Sequence, residues 1–187
     1  MKIIFIRHGQ GYHNIIKDNK TQYHILYPQL TKEGILECKT TYHNLKHFHF
    51  DLVITSPLVR ALQTFNLCFN HNYRKAISID LFREIVENKC DFRKHIRTIQ
   101  KDYNYIRFEG FDLNELNYNK IETKKDIEKR LYKIIYFLEH LKSLGYKHVA
   151  IVTHGALLNQ LFKKYENVLH VKDTSFFKNA EWRQCEI

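Results

Sequence analysis

The stretch Ile3-Ile4-Phe5-Ile6-Arg7-His8-Gly9-Gln10-Gly11-Tyr12-His13-Asn14 sets four apolar residues directly before a polar cluster. A short β-branched and aromatic run that ends at a glycine-containing turn predicts a buried central strand of an α/β sheet. In open α/β sheets ligands bind in the crevice beyond the carboxyl ends of the strands, so Arg7 and His8 face a predicted pocket. Arg7 offers a forked cation suited to phosphate, and His8 a nitrogen nucleophile.

The pattern returns near the other end of the chain. His148-Val149-Ala150-Ile151-Val152-Thr153 is a second apolar strand; it runs into His154-Gly155 and then the helix-like Ala156-Leu157-Leu158-Asn159-Gln160-Leu161-Phe162. Between the two lies Leu52-Val53-Ile54-Thr55-Ser56-Pro57, with Arg60 in the first turn of the helix that follows. Three parallel strand ends would gather His8, His154, Arg7 and Arg60 at one edge of the sheet.

With these motifs in hand, the chain resembles the histidine phosphatase superfamily, also called phosphoglycerate mutase-like. The resemblance rests on RHGQGYHN at the start, LTKEG at Leu30 to Gly34, SPLVRALQT in the middle, LFREI at Leu81 to Ile85 and VTHGALL near the end. A CDxR segment, Cys90-Asp91-Phe92-Arg93, resembles small fungal and protist members. The implied fold is a three-layer α/β sandwich with a mostly parallel central sheet flanked by helices.

Composition narrows the class. A length of 187 residues suits one domain with one sizeable core, and an apolar fraction of 44% is ordinary for a globular chain. No apolar run reaches the length a membrane helix requires, and the first strand begins too early to leave room for a signal peptide. A soluble, intracellular, cytoplasmic protein is expected. Cys38, Cys68, Cys90 and Cys185 are far apart in sequence, which argues against a zinc site or a dense disulfide framework. The net charge of +10 is spread along the chain without a basic block, so nucleic acid is a weaker expectation than attraction of an anionic substrate.

Along the chain, Ile15 to Gln29 lacks a period and is predicted to be a loop over the pocket mouth. Thr31 is a predicted N-cap, with Ile35, Cys38, Tyr42 and Leu45 at helical spacing to about Lys46. Strands are expected at Asp51 to Thr55 and Ala76 to Ile79, with Pro57 opening the helix between them, which runs to about Phe69. The region Val86 to Tyr118 has no steady period, and the resemblance implies an insertion there that covers the site. Thr123 to Asp126 reads as a capping box for a long amphipathic helix that stops at Gly145. Ser175-Phe176-Phe177 and Trp182 to Ile187 are expected to form a closing hairpin or edge strand; Asn179-Ala180-Glu181-Trp182-Arg183 is similar to the family's NxExR segment. The chain is expected to be complete, without repeats.

By resemblance, His8 is the nucleophile and forms a phosphohistidine, while Arg7, Arg60, His154 and Gly155 surround the phosphoryl group. Those charges leave no need for a metal or other cofactor. Asn14 would donate to the same phosphate, and Gly9 would let the backbone approach it. Of Glu84, Glu87 and Asp91, which lie in one short segment, Glu84 is the expected general acid and base, because it matches the family's L-x-E-I pattern, offset by one inserted residue. An Asx-turn competes as a reading for Asn14, and salt bridges compete with substrate contacts for Arg83 and Arg93. The remaining histidines, His13 among them, are unassigned.

The expected activity is hydrolysis of phosphate monoesters, favouring a small phosphorylated metabolite over a phosphoprotein. A phosphoglycerate mutase-like transfer is the second hypothesis. Against it, the ERHYG segment of the mutases is replaced by Glu84-Ile85-Val86-Glu87-Asn88. A catalytically silent anion-binding module is the third.

Overall fold

A computed structural model describes residues 1–16, 24–111 and 119–187. Its centre is a six-stranded sheet in the order β4-β3-β2-β5-β1-β6, formed by β1 (Lys2–Arg7), β2 (Leu52–Thr55), β3 (Ala76–Ile79), β4 (Arg107–Glu109), β5 (His148–Thr153) and β6 (Trp182–Glu186). All neighbours pair in parallel except β6, which runs antiparallel to β1 at the edge. Successive strand residues point to opposite faces, so β1 sends Ile3 and Phe5 into one core and Ile4 and Ile6 into the other. Burial on both faces explains why the four strand residues after Lys2, Ile3 to Ile6, carry no polar alternation.

Helices α2 (Lys32–Leu45) and α3 (Val59–Cys68) cover one face through Cys38, Leu45, Ala61, Leu62 and Phe65. On the other face lie α5 (Lys124–Ser143) and α6 (Gly155–Tyr165), with Leu131, Ile134, Leu138, Leu157 and Leu158 buried. The three-layer α/β sandwich with a mostly parallel sheet is as read from the sequence. Local signals account for the helix ends. Thr31 accepts from the Gly34 N–H at 3.0 Å, and Thr123 and Asp126 form their reciprocal box. Gly145 follows α5 at φ +86°, the left-handed conformation in which a glycine avoids the Cβ clash.

Four readings change. Pro57 does not open α3: Ser56 Oγ accepts from the Leu58 N–H at 3.2 Å, and this turn delays the first helical residue to Val59. Ser175 to Phe177 form no strand, because the Arg183 guanidinium takes the Asp173 and Ser175 carbonyls at 3.0 and 2.9 Å and bends the segment around itself. The aperiodic region holds helix α4 (Ile96–Asp102) and edge strand β4, short elements with few buried positions. The predicted mouth loop begins with a four-residue helix, α1 (Tyr12–Ile15), and its stretch 17–23 lies outside the described residues, as does 112–118 of the aperiodic region. Among the described residues no helix is long and apolar enough to cross a membrane.

Candidate active site

Adjacent strands β2, β5 and β1 bring Ser56, His154 and His8 to one end of the sheet. His8 is held by its backbone on both sides, donating to the Thr153 carbonyl at 2.9 Å and accepting from the Ala180 N–H at 3.1 Å. Its ring is 1% exposed. Nδ1 lies 2.7 Å from the Gly9 carbonyl, which can only accept, so Nδ1 carries the proton and Nε2 keeps its lone pair. The Arg60 Nε–H points at that lone pair from 3.3 Å.

Arg60 projects from the first turn of α3 and is 1% exposed. Its Nη1 donates to the Cys90 carbonyl at 2.7 Å and its Nη2 reaches Asp91 Oδ1 at 3.3 Å. Asp91 Oδ2 also accepts from the Asn88 and Glu87 N–H groups, so this carboxylate holds a turn and orients Arg60. The CDxR segment therefore reaches the site through its Cys90 carbonyl and Asp91, while Arg93 is buried against Asp80 at 2.9 Å and stacks over Phe111. Arg83 also pairs with Asp80, at 3.3 Å. For both arginines the structure shows the salt bridge, with Arg93 inside the protein instead of on its surface.

His154 follows β5 and is fully buried; one ring nitrogen, Nε2, lies 2.7 Å from Ser56 Oγ. Its centroid is 5.0 Å from that of His8. Arg7 donates to the Phe177 carbonyl at 2.7 Å and lies under the Phe176 ring at 5.1 Å. Arg183, stacked on Phe177 at 4.0 Å and paired with Glu181 at 2.7 Å, fastens the segment that holds Arg7, which gives the NxExR residues a visible task. A Cβ on Gly155 would lie 2.7 Å from the Phe176 ring and 3.0 Å from Arg7 Nε, so only glycine admits Arg7 there.

Glu84 caps the start of α6: Oε2 accepts from Ala156 N–H at 3.1 Å, and Oε1 from Leu157 N–H at 2.9 Å. Burial raises its carboxyl above the ordinary range, with the charge of Asp91 adding to the effect; Arg60 and the helix N–H groups oppose it. Glu87 is exposed and Asp91 is committed to Arg60, which leaves Glu84 as the carboxyl at the start of the helix that follows His154.

One sequence reading is displaced. Gly9 does not open space for a ligand: a Cβ there would lie 2.6 Å from the Gly34 carbonyl and 2.7 Å from Cys38 Sγ, so it admits helix α2. Asn14 is exposed and makes a local turn, its Oδ1 accepting from the Gly11 N–H at 2.9 Å; this occupies the oxygen and not the amide donor that a phosphate would use. Its amide reaches His13 Nε2 at 3.2 Å.

His13 was not singled out by the sequence. It is 8% exposed, 5.5 Å from His8 between ring centroids, and its Nδ1 has no partner among the described residues. Arg7 Nε and His154 Nδ1 are likewise buried and unpartnered there. No cluster of three or more His, Cys, Asp or Glu among the described residues has the arrangement of a metal site.

Burial, followed by the charge of Arg60, holds His8 and His154 well below the ordinary 6.5 and His13 at about 2. Below 6.5 the unfolded chain therefore binds protons that the folded chain refuses, and stability falls as pH drops, by about 1.4 kcal/mol per pH unit for each such histidine. Replacing His13 by phenylalanine is expected to remove about one proton from this slope in urea titrations between about pH 6.5 and pH 5. An unchanged slope would show that His13 is not held neutral.

The model of the histidine phosphatase superfamily (branch 1) matches residues 3–186. A Schizosaccharomyces pombe protein named a probable phosphatase is 25% identical over 179 residues, covering 88% of this chain and 78% of its own. Among solved structures, alpha-ribazole phosphatase from Shigella flexneri superposes with TM-score 0.64 at 20% identity, over 98% of this chain and 89% of that one. Phosphoserine phosphatase from Entamoeba histolytica, in complex with 3-phosphoglyceric acid, does so with TM-score 0.62 at 21% identity, over the same shares. With a family match from the first strand to the last, and a fold shared with these phosphatases, the chain belongs to the histidine phosphatase superfamily.

Proposed function

We propose that this protein hydrolyses phosphate monoesters through a phosphohistidine on His8. One observation carries the reading: His8 presents an unprotonated Nε2 to a buried arginine, in a site where Arg7 Nε and His154 Nδ1 have no partner among the described residues. A phosphoryl group would satisfy these donors and answer the charges of both arginines. Nε2 attacks phosphorus, a P–N bond forms and the P–O ester bond breaks. Protonated Glu84 delivers its proton to the departing oxygen. The Glu84 carboxylate then takes a proton from water as water attacks phosphorus, and inorganic phosphate leaves as the P–N bond breaks. Arg7, Arg60 and His154 stabilise charge on the phosphoryl oxygens in both steps. His13 Nδ1–H is a further donor beside the group. The alpha-ribazole and phosphoserine phosphatase names of the structural relatives favour a small ester over a phosphoprotein.

The proton inventory gives a test. Glu84 must begin protonated and His8 neutral. Because the carboxyl is raised and the imidazole lowered, both conditions hold on the acid side of neutrality, and kcat/KM falls as rising pH strips Glu84. Alkyl leaving groups need the proton; an aryl leaving group such as para-nitrophenolate does not. Glu84→Gln is expected to lower kcat/KM for alkyl phosphates by about 10²–10⁴-fold and for aryl phosphates by less than about tenfold. Equal losses on both, or a parent profile rising to alkaline pH, would remove Glu84 from the role. Isomerised phosphoglycerate formed without phosphate release, when a bisphosphate primer is present, would indicate a mutase instead.

A further inference from the structure

Glu84 sits in residues 84–86, which have no regular secondary structure. Its carboxylate is fixed at one end by α6, yet no helix or strand ladder holds its backbone. Arg130 does. Its Nη1 donates to the carbonyls of Arg83 at 2.6 Å and Leu81 at 3.2 Å, and its Nη2 donates to the Glu84 carbonyl at 3.4 Å. The same guanidinium makes a two-pronged pair with Glu122, Nε to Oε1 at 2.9 Å and Nη2 to Oε2 at 2.8 Å. Glu122 in turn accepts from the Val86 N–H at 2.9 Å and donates its own N–H to the Val86 carbonyl at 3.0 Å. Apart from the pair itself, these contacts fall on Leu81, Arg83, Glu84 and Val86, within the six residues 81–86.

We infer that Arg130, braced by Glu122, is a positioning residue that sets where the Glu84 carboxyl stands. Arg130 is well suited to this because its neighbours Leu131 and Ile134 are locked in the core of α5, so the guanidinium is mounted on a rigid element. A planar fork is required: the donors must reach separate carbonyls and a bidentate carboxylate at once, which the single ammonium of lysine cannot do. Both side chains are nearly closed to solvent, at 10% and 8% exposure, so the pair excludes the water that would otherwise compete for these carbonyls. The 81–86 segment meets the strand end of the cradle at the Phe82 carbonyl, which accepts from Thr153 Oγ1 at 2.7 Å, while Arg7, His8, Arg60 and His154 are carried by other segments; a small displacement around Arg83 to Val86 therefore moves the proton donor more than the cradle.

The inference rests on Glu84 being the acid and base, and the test separates the two claims. kcat/KM is measured on an alkyl and an aryl phosphate for the parent, Glu84→Gln, Arg130→Lys and the double variant. Arg130→Lys is expected to lose about 30–100-fold on the alkyl ester and less than about fivefold on the aryl ester, with its effect largely absent in the Glu84→Gln background. Glu122→Gln keeps the shape, but with its oxygen on Arg130 Nη2 and the Val86 N–H its amide nitrogen faces the donor Arg130 Nε, and the charge is lost. It is expected to give the same selective loss, about 5–10-fold, and serves where Arg130→Lys folds poorly. Equal losses on the two esters, or full additivity with Glu84→Gln, would overturn the positioning role and leave a structural one. No leaving-group selectivity in Glu84→Gln itself would overturn both claims together.

Discussion

Replacing Arg60 by alanine is expected to lower kcat/KM by about 10³-fold or more and to cost about 3–5 kcal/mol of stability. Both effects come from one side chain. On the catalytic side, the variant removes a buried cation directed at the reacting nitrogen of His8, where the proposed mechanism develops charge on phosphoryl oxygen. On the structural side, Asp91 keeps its place beside Cys90 without a counter-charge, and the Cys90 carbonyl loses its donor. Burial already raises the Asp91 carboxyl against the opposing pull of Arg60. Without Arg60 it rises further, so the stability loss is largest at neutral pH and shrinks as falling pH lets Asp91 protonate. The double variant Arg60→Ala with Asp91→Asn should regain part of the stability and none of the activity. Recovery of activity would show that Arg60 serves only to neutralise Asp91.

His8→Ala is expected to reduce kcat by at least about 10⁴-fold, because no other described side chain offers an uncharged nitrogen lone pair with an arginine directed at it. Binding should respond differently. The ring is neutral, and its removal spares both arginines and frees the Arg60 Nε for the ligand. Calorimetric affinity for an unhydrolysed phosphate ester should stay within about threefold of the parent or improve. Parallel loss of binding and turnover would mean that the ring holds the substrate instead of attacking it.

What could be read from the sequence follows from where each signal lies. Strands β1, β2 and β5 announced themselves as apolar runs because both sheet faces are covered, and Thr31, Thr123 and Gly145 marked helix ends through local hydrogen-bond chemistry. Short elements gave no such signal. Helix α4 buries only Ile96 and Ile99, too few to establish a period, and β4 has three residues at an edge, two of them charged. The strand-end rule brought Arg7, His8, Arg60 and His154 together because the rule concerns topology, which the motifs' order carries.

Pairings across long stretches of chain were not legible. Nothing at Arg60 announces a partner thirty-one residues on at Asp91, and Arg130 reads as one more charge beside the apolar stripe of α5 until the carbonyls of residues 81, 83 and 84 are seen to converge on it. His13 was hidden among twelve histidines, although its place inside the opening motif, five residues after His8, was the available hint. The glycines show a different limit. Gly9 and Gly155 both mark close approaches, but sequence alone does not say that the first admits a helix and the second an arginine.

The most direct measurement is to trap the phosphoenzyme. Glu84→Gln should form it normally from an aryl phosphate, which needs no acid, and hydrolyse it slowly, because the base for water is gone. After a rapid alkaline quench, peptide mass spectrometry should find close to one phosphoryl group per protein on His8, stable to alkali and lost in acid, as a P–N bond requires. Label on another residue, or stoichiometric product release with no phosphorylated protein at any time, would contradict the account.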